Sequence, residues 1–163
     1  MEPFNWSRLN RLQIGRYAEY LVKMEFVKHG MAVFSAEVDD IGVDLVVRVQ
    51  EDDPEGKTKP GRHFDIQVKS SRSREEAGYS YIYCLKSNLP TTGNFYVALG
   101  LFEDGQEPKL FLIPATDWRE RRDLFVDRKY DTAEYGLNFS KKHLQQLEEE
   151  YAFSKQTKKL RTL

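Results

Sequence analysis

The sequence predicts an α/β domain. An apolar stripe of helical period opens the chain, a series of alternating or continuously apolar segments follows, and a capped amphipathic helix comes near the end. The chain has 163 residues, 40% of them hydrophobic and 13% aromatic. That is enough for one core and too apolar for a disordered chain. We expect a single domain over residues 1–153. A flexible basic tail over 154–163 would carry Lys155, Lys158, Lys159 and Arg161.

Residues 7–30 read as the first helix. Ser7 is the expected N-cap, and Leu9, Leu12, Tyr17, Leu21, Val22 and Phe26 form the stripe. Lys28, His29 and Gly30 make a natural C-terminal stop. Gly15 weakens this helix by about 1 kcal/mol against Ala, so it either lets another group come close or is merely tolerated. Strands are expected over Met31–Ala36, Val43–Gln50 and His63–Ser70, with the last two paired antiparallel across the polar loop 51–61. Further strands are expected over Tyr79–Leu85, Phe95–Phe102 and Leu110–Ile113. Glu103-Asp104-Gly105-Gln106 is a hairpin signal between the last two. Thr116 is the expected cap of a short helix through Arg122, and Ser140 that of a helix over Lys141–Tyr151.

Basic and acidic residues nearly cancel, 25 against 26. Overall charge therefore announces no polyanion partner, although a local basic patch would suffice for one. The single cysteine, Cys84, excludes an internal disulfide and reads as a small buried residue. No Cys/His spacing suits zinc. No apolar run approaches the roughly 20 residues of a membrane span, and Met1–Trp6 has no signal-peptide pattern. The expectation is a soluble, cytoplasmic protein with no membrane partner.

The chemistry concentrates in Phe64-Asp65-Ile66-Gln67-Val68-Lys69-Ser70-Ser71. On a strand, Asp65, Gln67 and Lys69 share one face while Phe64, Ile66 and Val68 share the other. Upstream, Asp44 sits in the β-branched run Ile41–Val49. A carboxylate there is costly unless it is paired, hydrogen-bonded or metal-bound. Adjacent strands offering Asp44, Gln67 and Lys69 would make a compact site for a divalent cation and a phosphate. The competing readings are a static Asp44–Lys69 salt bridge, a solvated Gln67, and a Glu19 paired with Lys23 on the helix surface. Asp39 and Asp40 read as turn formers.

Taken in order, Gly15-Arg16-Tyr17-Ala18-Glu19, Asp44 and Gln67-Val68-Lys69-Ser70-Ser71 resemble the PD-(D/E)XK nuclease superfamily, in the variant with Gln in place of the acid before x-Lys. Glu19 matches the first-helix acid of several branches, Holliday-junction resolvases among them. The Ser70-Ser71 extension is similar to that of homing endonucleases and restriction enzymes. The resemblance spans residues 10–72, and residues 79–151 look like small bacterial domains of unknown function. It implies a restriction-endonuclease-like core of αβββαβ type, a central mixed sheet flanked by helices.

The implied activity is Mg²⁺-dependent hydrolysis of phosphodiesters, chiefly in DNA, with Mn²⁺ able to substitute. The setting implied is genome defence, mobile-element biology or repair. Asp44, the Gln67 side-chain oxygen, the Val68 carbonyl and Glu19 would hold the metal, and Lys69 would sit beside the attacking water. Arg16, Ser70, Ser71, Arg72 and Arg74 would contact nucleic acid, and a homodimer would suit duplex cutting. Gln67 departs from the usual pattern because it brings no charge. A catalytically inactive nucleic-acid-binding module on the same fold is therefore the alternative.

Tyr79, Tyr81 and Tyr83 alternate along one strand. Such a row stacks on bases, or packs in a core or an interface.

Overall fold

The computed structural model describes residues 3–37, 41–50, 55, 61–73, 81–129 and 132–163. The elements are α1 (Arg11–Lys28), β1 (Ala32–Ser35), β2 (Leu45–Val49), β3 (Arg62–Arg72), β4 (Tyr81–Leu85), β5 (Phe95–Phe102), β6 (Lys109–Pro114), α2 (Ala115–Glu120), β7 (Phe125–Lys129), β8 (Ala133–Asn138), α3 (Lys141–Tyr151) and α4 (Phe153–Thr162). Five strands form a sheet in the order β1-β2-β3-β5-β6, and three form a second sheet, β4-β8-β7. In the large sheet β3 and β5 are parallel and the other neighbours antiparallel. The expected α/β architecture, a central mixed sheet flanked by helices, is present.

The sheet is covered on both faces. Val22 and Phe26 of α1 and Phe153 and Leu160 of α4 pack with Leu45, Val47, Phe64, Ile66, Tyr96 and Ala98. On the opposite face Val97, Leu99, Phe111 and Ile113 pack with Cys84, Trp118, Phe125, Leu137 and Leu147. This explains the unbroken apolar run of β5, all eight residues of which are buried.

Helix α1 begins later than the sequence suggests. Asn10, not Ser7, is the N-cap: its side chain accepts from the Gln13 amide at 3.0 Å while the Gln13 side chain accepts from the Asn10 amide at 2.9 Å. This reciprocal box satisfies two otherwise unpaired donors. Ser7 instead donates its amide to Asp104 at 2.9 Å. Gly30 ends the helix as expected, at φ 73°. At Gly15 a Cβ would meet nothing within 4 Å, so this glycine serves no close approach.

The expected flexible tail over 154–163 is helix α4. Phe153, Gln156, Thr157 and Leu160 are its buried residues. They lie at i, i+3, i+4 and i+7, one helical face. Two of the four are polar, so the stripe was hidden in sequence. The strands β7 and β8 were also not foreseen, since no element was expected between Arg122 and Ser140. Helix α2 starts after Pro114 without a side-chain cap, so Thr116 lies inside it.

Parallel β3 and β5 require a crossover. Among the described residues it holds β4 and a 3₁₀ turn, Lys86–Asn88, where the αβββαβ pattern has a helix. Among the described residues no helix is long and apolar enough to cross a membrane.

Candidate functional site

Strand β3 is longer than its partner. Its pairing with β2 ends at Leu45↔Ile66, while its pairing with β5 continues to Arg72↔Phe102. Past Ile66, one edge of β3 therefore has no β2 ladder. Asp44 sits at this point, one residue before β2 and not inside it as the sequence suggested. Its amide donates to the Ile66 carbonyl at 2.9 Å. Its carboxylate Oδ2 accepts from the Val68 amide at 2.6 Å. A carboxylate thus replaces a strand as partner of the Val68 N–H, a short charge-assisted bond. Alternation along β3 directs the Val68 carbonyl to the same edge.

The register, carried one residue further, sets Asp44 opposite Gln67. Gln67 is only 4% exposed. Its side-chain oxygen Oε1 has no hydrogen-bond partner among the described residues. Such a buried, unsatisfied acceptor costs about 1–3 kcal/mol. Opposite Asp44 in the register, it is a second oxygen of the kind that can hold a cation. The donor set is oxygen-only, as a hard divalent ion prefers.

Gly42 makes room for this amide. It lies at φ 74°, and an added Cβ would stand 2.9 Å from Gln67 Nε2 and 3.1 Å from Asn88 Nδ2. Gly42→Ala is expected to destabilise by about 1–2 kcal/mol from the left-handed backbone alone. It should also displace Gln67, and so abolish any metal-induced rise in melting temperature. Thermal melts with and without Mn²⁺ check both effects. Asn88 had no signal in sequence, since only the crossover brings the Lys86–Asn88 turn against Gly42.

Lys69 lies two residues beyond Gln67 on the same face. It faces Cys84, whose thiol is pushed up to about 12 by burial, an effect the Lys69 charge partly offsets. The folded thiol therefore stays protonated at a pH where the unfolded one, with a pKa of about 8.5, ionises. Its contribution to stability is complete below that value and declines as pH rises from there towards about 12. Native protein at pH 9 should resist a thiol reagent that labels the denatured chain quickly.

The other residues singled out in the sequence divide between the two faces of the sheet. Ser71 shares the face of Gln67 and Lys69. Ser70 and Arg72 face the α1 layer. The Arg72 guanidinium donates to the carbonyls of Leu9 at 2.9 Å, Ser7 at 3.2 Å and Trp6 at 3.4 Å. It fastens the segment before α1 to the end of β3. Glu19 rises from α1, on the opposite layer from Gln67 and Lys69, and is paired with Arg16 at 2.7 Å. Among the described residues no three His, Cys, Asp or Glu side chains gather as a metal group. Arg74, Asp39 and Asp40 lie outside the described residues.

A cavity of about 530 Å³ lies elsewhere, lined by Tyr96, Asp117, Arg121, Glu150, Tyr151 and Lys159 among others. Arg121, Glu150, Asp117 and Tyr151 in its lining are paired with one another or with neighbours. Arg121 binds Asp123 at 2.8 Å and Glu150 at 2.5 Å, holding both carboxyls below the usual range. Tyr151 donates to Asp117 at 2.6 Å. Burial first, then this bond, raises the phenol. The cavity shares no lining residue with Asp44, Gln67 and Lys69.

Solved structures similar to this chain include two nucleases. One is a bacterial homing endonuclease, 16% identical, matched over 80% of this chain and 75% of its own, with a TM-score of 0.49. The other is Hjc, a Holliday junction resolvase from Archaeoglobus fulgidus, 16% identical over 77% of this chain and 84% of its own, with a TM-score of 0.47. No family model and no curated protein matches the chain. At such identities the likeness concerns the backbone path, and the chemistry comes from this chain's own side chains.

Proposed function

We propose that Asp44, Gln67 and Lys69 form the centre of a metal-dependent nuclease that hydrolyses DNA phosphodiesters. The buried Oε1 of Gln67, with no hydrogen-bond partner among the described residues and opposite Asp44 in the strand register, carries this reading. The other Asp44 oxygen, Gln67 Oε1 and the Val68 carbonyl would hold Mg²⁺, or Mn²⁺ in its place. When bound, the ion would acidify a water and neutralise charge on the phosphate.

The chain's own groups supply the rest. The Val68 amide fixes the Asp44 carboxylate. Gly42 fixes the position of the Gln67 amide. Lys69 places a cation beside the phosphate, where it stabilises charge that grows on the oxygens during attack. One carboxylate makes a weak metal site by itself, so the substrate phosphate would complete it, as is common for Mg²⁺. Ser71 lies beside Lys69, and Arg16 is exposed on α1 for a phosphate contact. Two copies of the chain would cut both strands of a duplex.

The test is a cleavage assay with Mg²⁺ or Mn²⁺ on linear, supercoiled, branched and single-stranded DNA. Cutting that disappears with chelator supports the proposal. Folded protein that binds no metal and cuts no substrate overturns it. The single carboxylate also favours a second reading, a binding module without catalysis. That reading predicts metal-independent DNA binding which weakens steeply with salt.

A further inference from the structure

Gln67 and Asn88 bring their side-chain amides to one point. A Cβ built on Gly42 would stand 2.9 Å from Gln67 Nε2 and 3.1 Å from Asn88 Nδ2. The two nitrogens therefore flank the bare Cα of a glycine whose φ of 74° disfavours any side chain. The turn that carries Asn88 is anchored. Leu89 is fully buried in the core between the two sheets, and its amide donates to the Lys86 carbonyl at 3.3 Å. The Asn88 oxygen accepts from the Ser87 hydroxyl at 3.4 Å. Among the described residues neither amide nitrogen has a hydrogen-bond partner. Gln67 is only 4% exposed, so its amide holds an unsatisfied donor as well as the unsatisfied Oε1.

On the reading of Asp44, Gln67 and Lys69 as a nuclease centre, we propose that the Gln67 and Asn88 nitrogens form a seat over Gly42 for a non-bridging oxygen of the phosphodiester. Two donors facing one space call for an acceptor. The acceptor that a neighbouring cation and Lys69 both attract is an anionic oxygen. Asn and Gln side chains are ordinary donors to phosphate oxygens, and a bond to a charged oxygen is about twice as strong as a neutral one.

The seat gives the missing charge at position 67 a physical role. A carboxylate has only acceptors, whereas an amide has an acceptor at one atom and two donors at the other. Gln67 would turn Oε1 to the ion and Nε2 to the phosphate, and so tie the two together. A carboxylate in its place would hold the ion more strongly and repel the phosphate oxygen. A side chain at position 42 would fill the seat.

The seat is tested without turnover. Anisotropy of a labelled DNA duplex in chelator reads nucleic-acid affinity, and the paramagnetic resonance signal of free Mn²⁺ reads metal affinity. Gln67→Glu keeps the oxygen, removes the donors and adds a charge. It should tighten Mn²⁺ binding and weaken DNA binding about tenfold or more, opposite signs from one substitution. Asn88→Ala should weaken DNA binding about tenfold and leave Mn²⁺ affinity within about twofold. Asn88→Asp should bind DNA more weakly still.

Parental DNA affinity in an Asn88→Ala chain that melts like the parent overturns the proposal. So does a Gln67→Glu chain in which both affinities move the same way, or a parent that binds no DNA in chelator. If the buried charge keeps Gln67→Glu from folding, the Asn88 pair decides, because Asn88 is only half-buried. Equal binding by Asn88→Ala and Asn88→Asp then refutes the seat. Cleavage is read in neither arm. A parent that shows the Asn88 effect yet cuts no substrate keeps the seat and loses the nuclease reading. A parent that cuts while Asn88→Ala binds DNA normally loses the seat alone.

Discussion

Lys69→Ala is expected to lower metal-dependent cleavage by about a hundredfold or more, the range seen when one charge-stabilising group is removed from a transition state. The effect should appear as lost turnover with the melting temperature little changed. Lys69 lies on the β3 face with Gln67 and is no part of the fully buried core, so its removal leaves the packing intact. Asp44 needs a gentler variant. Asp44→Ala would orphan the Val68 amide, which now donates at 2.6 Å, at a cost of about 1–3 kcal/mol. Asp44→Asn keeps an acceptor for that amide and removes only the charge. It should therefore fold, lose metal-induced stabilisation and lose cleavage. Cleavage by both variants at parental rates would end the assignment of this site, whatever activity the protein retained.

Leu160→Ala is expected to destabilise the fold by about 2–5 kcal/mol, as for other fully buried leucines. The melting temperature should fall by roughly 5–15 °C for a chain of this size. Leu160 is fully buried in α4 and packs in the core over β2, β3 and β5. Leu163, three residues on, is largely exposed. Leu163→Ala should therefore stay within about 0.5 kcal/mol of the parent. A frayed tail would make the two variants equal, so denaturant melts of the pair separate the alternatives. The same logic covers Phe153, whose ring packs on Phe26 of α1 at 4.8 Å.

These cases show where legibility ends. The alternation of β3 put Gln67 and Lys69 on one face, and the structure has them so. Helix α3 was legible at both ends, because Ser140 caps it and its side chain accepts from His143. The α4 stripe was not, because Gln156 and Thr157 are buried through tertiary contact and carry no apolar signal. In the small sheet β4 was expected, while β7 and β8 were not. Within β8, Gly136 lets the Tyr83 ring lie close, since a Cβ there would meet Tyr83 Cε1 at 2.8 Å.

By itself the sequence determined the α/β class, the hairpin of β2 and β3, and the order of Asp44, Gln67 and Lys69. These follow from local period and turn chemistry, which a linear string records. Only the tertiary structure decided that Asp44 leaves its strand to cap Val68, that Gln67 Oε1 is buried with no partner among the described residues, and that Arg72 is committed to the segment before α1. It also decided that Glu19 lies on the far layer and that Asn88 reaches Gly42. Each depends on where one element stops beside another, and residues far apart in the chain set that boundary.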